Sequence, residues 1–426
     1  MPTLSPLPSR SSTANAGFSW MQALLAACPE APPNHNSLAV NERQAARLAL
    51  EAVGLPGKRE ESWRFTDLSL LSRIAPRPMD PAAGSGADLP ATADHTWRLH
   101  LDTWTMGPES TWPAGIEPLQ GSELEAHFGG VLAATEMVQQ WAIQLNSAIA
   151  PKVVALRIRP GSPRLELVSD ADQRSGVVGH RLLLLLEEGA SLDLLQVHQA
   201  SGPSLTSVVV EAQLDRNSTL RHGLVTRGTA SSALLAAIAV SQAAGSHYAH
   251  TSVCAGWGLA RQEPVVVQRD GQASTQLRGL HWLRQHELAD THSRVHFGGP
   301  EGTLDQVHKV VAEDESHSVF NGCIQVPRQA QRTNASQLSR SLLLSDRARI
   351  DTKPELEIVA DDVRCTHGAT ISRLQQDELF YLQSRGIGAS QASQLLLRSF
   401  CAEVLDQLPE GAEAWNPLAP LLEEAS

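Results

Sequence analysis

The side chains best suited to chemistry in this chain are imidazoles and one thiol. Six of its 16 histidines fall between residues 281 and 317: His281, His286, His292, His296, His308 and His317. His292 and His296 are an even number of residues apart, so on a strand they point the same way and could contribute to a metal site built across neighbouring strands. His286-Glu287 opens like a zincin motif, but the next histidine is His292, and that spacing cannot put two imidazoles on one helical face. Further on, Cys365-Thr366-His367 places a thiol and an imidazole two residues apart, on one face of a strand. Such a pair is a mixed ligand set for zinc or iron, an activated nucleophile, or a buried cysteine beside a hydrogen-bonded histidine. The acidic pairs Asp361-Asp362 and Glu187-Glu188 diverge to opposite faces of a strand, so neither is a catalytic dyad.

The elements that must position these groups read as helices, a long β body, and helices again. Asn41 can cap a helix over residues 42–50, which Gly54 and Pro56 stop. Residues 76–96 are rich in Pro, Gly, Ala and Asp, the composition of a linker. From about residue 150, runs such as HRLLLLLEEG and SVVVEAQLDRN alternate with turn residues, which is strand grammar. The turn-to-strand junctions align on Ala190, Ser218, Ser246 and Ala273, 28, 28 and 27 residues apart, with Thr303 30 residues later. A small residue recurring at that period, with no helix pattern between, predicts a parallel β-helix over about 150–370. After Thr370 the pattern turns helical, with Leu397, Phe400, Val404 and Leu408 on one face. The expected fold is mainly β, a β-solenoid core at 97–372. An N-terminal helical region with a disordered tail and linker (1–96) and a C-terminal helical region (373–426) flank it.

Composition narrows the function. The 426 residues carry 34 Lys+Arg against 46 Asp+Glu, a net charge of −12, which argues against a nucleic-acid or basic membrane-surface protein. The lysines are Lys58, Lys152, Lys309 and Lys353, and none stands in a P-loop context. Five scattered cysteines fit reduced thiols in the cytoplasm better than a disulfide framework. No apolar run reaches the ~18 residues of a membrane span. The Ser/Pro-rich N-terminus has no secretory h-region. The expected location is cytoplasmic, or the plastid stroma for a plant or algal source.

FNGCIQV, AQRTNASQLSRSLLLSDRARIDTKPELEIVADDVRCTHGAT and DELFYLQSRGI, all between 320 and 387, resemble the core of the SufB/SufD family of the SUF iron–sulfur cluster assembly system. LPGKREESWRFTDLS is similar to the N-terminal signature of its SufD branch, and Asp290 and His296 in ADTHSRVH fit an Asp…His run of the family. SufB-type members carry Glu before the corresponding histidine, a Tyr-Cys pair and a scaffold cysteine. Here stand Thr366 before His367, Tyr381-Leu382, and Ser339 or Arg340, which places the resemblance on the SufD side.

The resemblance implies a non-catalytic scaffold that pairs with SufB through the C-terminal edge of the β-helix. It implies docking of the ATPase SufC on the C-terminal helical region, for which Leu397, Phe400 and Val404 are the candidate contacts. A homodimer in isolation is compatible with it. His367 matches a family histidine and becomes the candidate iron ligand. Cys365 accompanies it, and Asp290 and His296 are secondary candidates. No cofactor would be firmly bound to the chain alone: a nascent iron–sulfur cluster would form in the complex, and ATP would sit on SufC. The competing readings are a histidine-rich metal-binding or delivery protein built on 281–317, and a β-helix polysaccharide-active enzyme.

Overall fold

The computed structural model describes residues 12–28, 37–79, 89–102, 105–106, 112–171, 174–416 and 418. Sixteen strands, from Val153–Ile158 to Arg364–Ser372, alternate between two parallel sheets and stack as a β-solenoid of about eight coils. The antiparallel pairings in the described residues lie at its N-terminal end, where Thr96–His100 meets Thr105–Met106 and Ile116–Pro118 meets Val153–Ile158.

The period is set at the corners. Ala190, Ser218, Ser246 and Ala273 are buried residues immediately before successive strands of one sheet. Their carbonyls accept from Thr219, His247, Ser274 and Thr303 one coil on, at 2.8–3.0 Å. The expected fifth member, Thr303, is displaced by one residue: Gly302 holds the corner, and its carbonyl accepts from Asn334. The hydroxyls of Ser218, Ser246 and Thr333 each donate to the carbonyl three residues back, satisfying the turn inside the wall. The residue before each corner turns left-handed. Gly189 and Gly245 do so freely, whereas Asn217, Gln272, Glu301 and Arg332 adopt positive φ with a side chain.

Along the strands, inward positions are apolar near the corners and polar in the middle. His180, His198, His222, His250, His281 and His308 all lie inside the solenoid and are buried. His222 stands 4.8 Å from His250 and His281 4.6 Å from His308, ring to ring. Burial lowers all six, His250 and His281 to about 4.

Helices cover both outer faces. α1 (Ser12–Ala27) and α2 (Ser37–Val53) precede α3 (Gly121–His127), α4 (Gly130–Ala134) and α5 (Trp141–Ile149). Trp20, Leu24, Leu50 and Trp141 pack with Leu205, Leu235 and Leu259 on the outer face of one sheet. α6 (Gln376–Ser384) leads into α7 (Ala389–Leu405), which covers the other sheet at Val253, Leu280, Trp282 and Val311. Two expectations are corrected. Asn41 lies within α2 rather than capping it, and the N-terminal tail is helical from Ser12, because Trp20, Met21, Leu24 and Leu25 have a core to enter. Residues 1–11 of that tail and 80–88 of the linker lie outside the described residues. Helices α3 to α5 lie within the 97–372 segment that the sequence reads as solenoid.

One buried charge cluster ties the N-terminal region to the sheet. Arg261 donates to Asp290 at 2.8 Å, to Glu263 at 2.7 Å and to the Ser62 carbonyl at 2.6 Å. Its guanidinium lies 3.9 Å from the Trp63 ring centroid, and the Thr66 hydroxyl donates to Asp290. The sheet accommodates this at Pro264, which has no N–H: the ladder between Leu259–Gln268 and Leu288–Phe297 skips Glu263 and Pro264. The SWRFTD run is therefore a strap held by Arg261 and Asp290.

Two predictions follow from these buried groups. Asp290→Ala leaves Arg261 buried with Glu263 as its remaining carboxylate, and should cost about 3 kcal/mol, read as a lower denaturation midpoint. For the histidines, the unfolded chain binds protons at about pH 6.5 while the folded values are depressed. Stability is therefore level above about pH 6.5 and falls as pH drops from there toward 4. Melting curves across that window should show the loss, with a shallower slope in His250→Gln. A flat profile would contradict it.

Candidate functional site at the open end of the solenoid

The C-terminal coil consists of strands Arg349–Ile358 and Arg364–Ser372. Each pairs with one neighbour, His317–Val326 and Asn334–Leu343 respectively, and ends its sheet. Their outer N–H and C=O groups are unpaired among the described residues, and the end exposes Ile358, Val359 and Ile371.

Cys365 is in register with Ala335, and His367 with Gln337. Ala335 and Gln337 are buried inward residues, so both candidates share one face, as the two-residue spacing predicts, and that face is the inward one. Cys365 is half-buried against the apolar interior, and burial raises its thiol above the ordinary value, opposed by the Ala335 backbone. His367 points the same way but is exposed, because no coil stacks beyond it. Two donors, one soft and one borderline, make half of a metal site. Among the described residues no group of three His, Cys, Asp or Glu side chains is arranged to hold a metal ion. Any ligation at this end needs donors beyond those that the described residues bring together there.

The secondary candidates sit elsewhere. Asp290 is the buried partner of Arg261, and its second oxygen meets His292 Nε2 at 3.0 Å. The arginine and imidazole hold its carboxyl below the ordinary range against desolvation. His296 lies six residues on along the same strand, on its outer face, lining a cleft of about 400 Å³ with Arg294, Gln325 and Glu357. The structure brings neither to His367.

The 281–317 histidines also disperse. His281 and His308 are interior and share Thr291 Oγ1 as partner, at 3.1 and 3.3 Å. His286 is in an exposed turn beside Glu315, while His317 Nε2 meets Asp351 at 2.7 Å on the outer face. A metal centre gathered from this run is not what the fold builds.

The apolar face of α7 is corrected as well. Leu397 and Val404 are 2% and 0% exposed, packed beneath the helix on the sheet, so no partner reaches them. Phe400 is half-buried, with the Lys309 ammonium 4.5 Å from its ring and donating to its carbonyl. These three seat the helix. The apolar groups offered outward are Phe380 and Tyr381 on α6, 72% and 57% exposed, and Leu395 on α7.

Sequence reasoning missed the inward glutamines Gln306 and Gln337. Counting four residues on from each corner finds them: that column runs His222, His250, Leu277, Gln306, Gln337 and His367 in register.

Comparison with known proteins supplies the family. Residues 168–400 match the family described as SUF system FeS cluster assembly, SufBD core domain. An iron-sulfur cluster assembly SufBD family protein of Synechocystis is 33% identical over 403 residues, 88% of each chain. The chloroplastic protein ABCI7 of Arabidopsis thaliana is 31% identical, over 86% of this chain and 82% of its own. The iron-sulfur cluster assembly protein SufD of Escherichia coli is 27% identical, over 84% of this chain and 86% of its own. With that family spanning more than half of the chain, on a solenoid open at its C-terminal end, the chain belongs to the SufB/SufD family of SUF iron–sulfur cluster assembly proteins.

Proposed function

We propose that the chain is the SufD-type scaffold of a SUF assembly, pairing end to end with a SufB-type solenoid. The observation that carries this reading is the uncovered C-terminal coil. Its two strands leave a backbone edge open, Ile358, Val359 and Ile371 are exposed there, and a thiol and an imidazole face the same opening. A partner strand satisfies the edge and supplies the missing donors. The nascent cluster is cargo at that junction, not a resident group of this chain, and the chain performs no catalysis of its own.

The ATPase SufC docks on the outward surface of α6 and α7. Phe380, Tyr381 and Leu395 are the contacts, since Leu397 and Val404 are spent on the sheet. ATP is bound by that partner. The polysaccharide reading would need the cleft of about 510 Å³ lined by Trp63, Trp141, Glu263 and Glu355, where Glu263 is held by Arg261 and Glu355 by Lys353. The compartment is the bacterial cytoplasm or the plastid stroma, in keeping with the bacterial and chloroplastic relatives. No described helix is long and apolar enough to cross a membrane.

Purification of the tagged chain from its native cell should recover a SufB-type protein and an ABC-type ATPase. Phe380→Asp with Tyr381→Ser should lower ATPase recovery about tenfold or more without moving the melting temperature. Removing α7 is the poorer test, because it bares Leu280 and Trp282. His367→Ala should leave complex yield and melting temperature unchanged while reconstituted cluster content collapses. Full cluster assembly in that variant would rule the site role out.

A further inference from the structure

The inward faces of the last coils carry a directional chain of amides. Gln306 Nε2 donates to Ser293 Oγ at 2.7 Å, and Gln337 Nε2 donates to Gln306 Oε1 at 2.9 Å. Each amide turns its NH₂ group toward the body of the solenoid, so the chain ends on an acceptor, Gln337 Oε1. That oxygen is buried and accepts no hydrogen bond, a state that buried polar atoms rarely keep.

The residue in register with Gln337 on the next strand is His367. Neighbouring strands lie about 4.8 Å apart, so an imidazole N–H is a donor of the right reach on the right face. A second observation shows that the amide's place is reserved. A Cβ at Gly322 would lie 2.3 Å from Gln337 Nε2 and 2.8 Å from its Cδ. Gly322 sits mid-strand, outside any turn, with no positive φ. Its missing side chain is the space in which the Gln337 amide lies.

We infer that Gln337 is the positioning residue of His367: its Oε1 accepts one imidazole N–H, fixing the tautomer and turning the other ring nitrogen, lone pair outward, toward the opening. This rests on the site role given to His367 above. The logic is that of a metal-binding histidine oriented by the partner of its second nitrogen. Thr352 Oγ1, also buried without a partner, is the rival donor to the same oxygen.

The test uses the full chain with ¹⁵N-labelled histidine, His367 being assigned by its loss in His367→Ala. Ring nitrogen shifts report the tautomer. Wild type should show one tautomer and Gln337→Met a mixture. Gly322→Ala, which displaces the amide, should match Gln337→Met. Gln337→Glu should keep the single tautomer: the carboxylate still accepts, and Gln306 can flip to donate to it while the Ser293 hydroxyl reverses. In the reconstituted complex, cluster content should fall about tenfold in Gln337→Met and less in Gln337→Glu. An unchanged tautomer in Gln337→Met overturns the inference, as does a mixture produced by Thr352→Val alone. If His367→Ala assembles clusters normally while Gln337→Met still scrambles the tautomer, the site role falls and the positioning contact stands.

Discussion

Each inner coil of this solenoid has its backbone groups satisfied by the coils before and after it, and the last coil has one neighbour. Everything distinctive about the molecule hangs on that constraint. Parallel strands stacked in register can repeat indefinitely, because the carbonyl of one corner always meets the N–H of the next coil. Stacking therefore propagates but does not terminate itself. At the N-terminal end the antiparallel additions turn the pattern aside. At the C-terminal end nothing described does so, and Pro354, which cannot donate, stands in one of the two open strands, as in many edges kept from indiscriminate pairing.

The interior tells how the coils are kept distinct. A solenoid filled evenly with Leu and Val could slip by two residues without changing its core. The polar middle of each strand opposes that. Gln306, Gln337 and the paired histidines find specific partners in one register and lose them in another. They do so uncharged, since burial keeps each imidazole neutral at neutral pH. The cost is several buried nitrogens with no partner, among them both of His198.

The legible part of this structure was the part with a period. Small residues at 28-residue spacing mark corners because a buried turn has no room for large ones, and four of the five aligned positions are corners. The fifth slipped by one residue because left-handed turn positions are occupied by Gln272, Glu301 and Arg332, residues that carry no turn signal. That Cys365 and His367 share a face was legible from alternation alone, but not that the face is the inward one. The fate of Asp290 was not. Its partner Arg261 is 29 residues away and Thr66 is 224 away, and a single sequence shows neither. Leu397 and Val404 illustrate the other blind spot: helical spacing identifies an apolar face but not whether the chain's own sheet or another protein covers it.

Much of each outer face is covered by the chain itself, one by α1, α2 and α5 and the other by α7. The C-terminal end is where the interior itself becomes accessible. An inward side chain is sequestered everywhere except in the last coil, where the same alternation that buries His250 and Gln306 delivers His367 to the surface. The histidine needs no special loop to be presented. It occupies a core position of a core that has stopped, with the amide beneath it already in place and the side toward solvent uncovered. A partner that continues the stack would enclose His367 as the next coil would have done, in a site whose floor comes from one chain and whose roof comes from another.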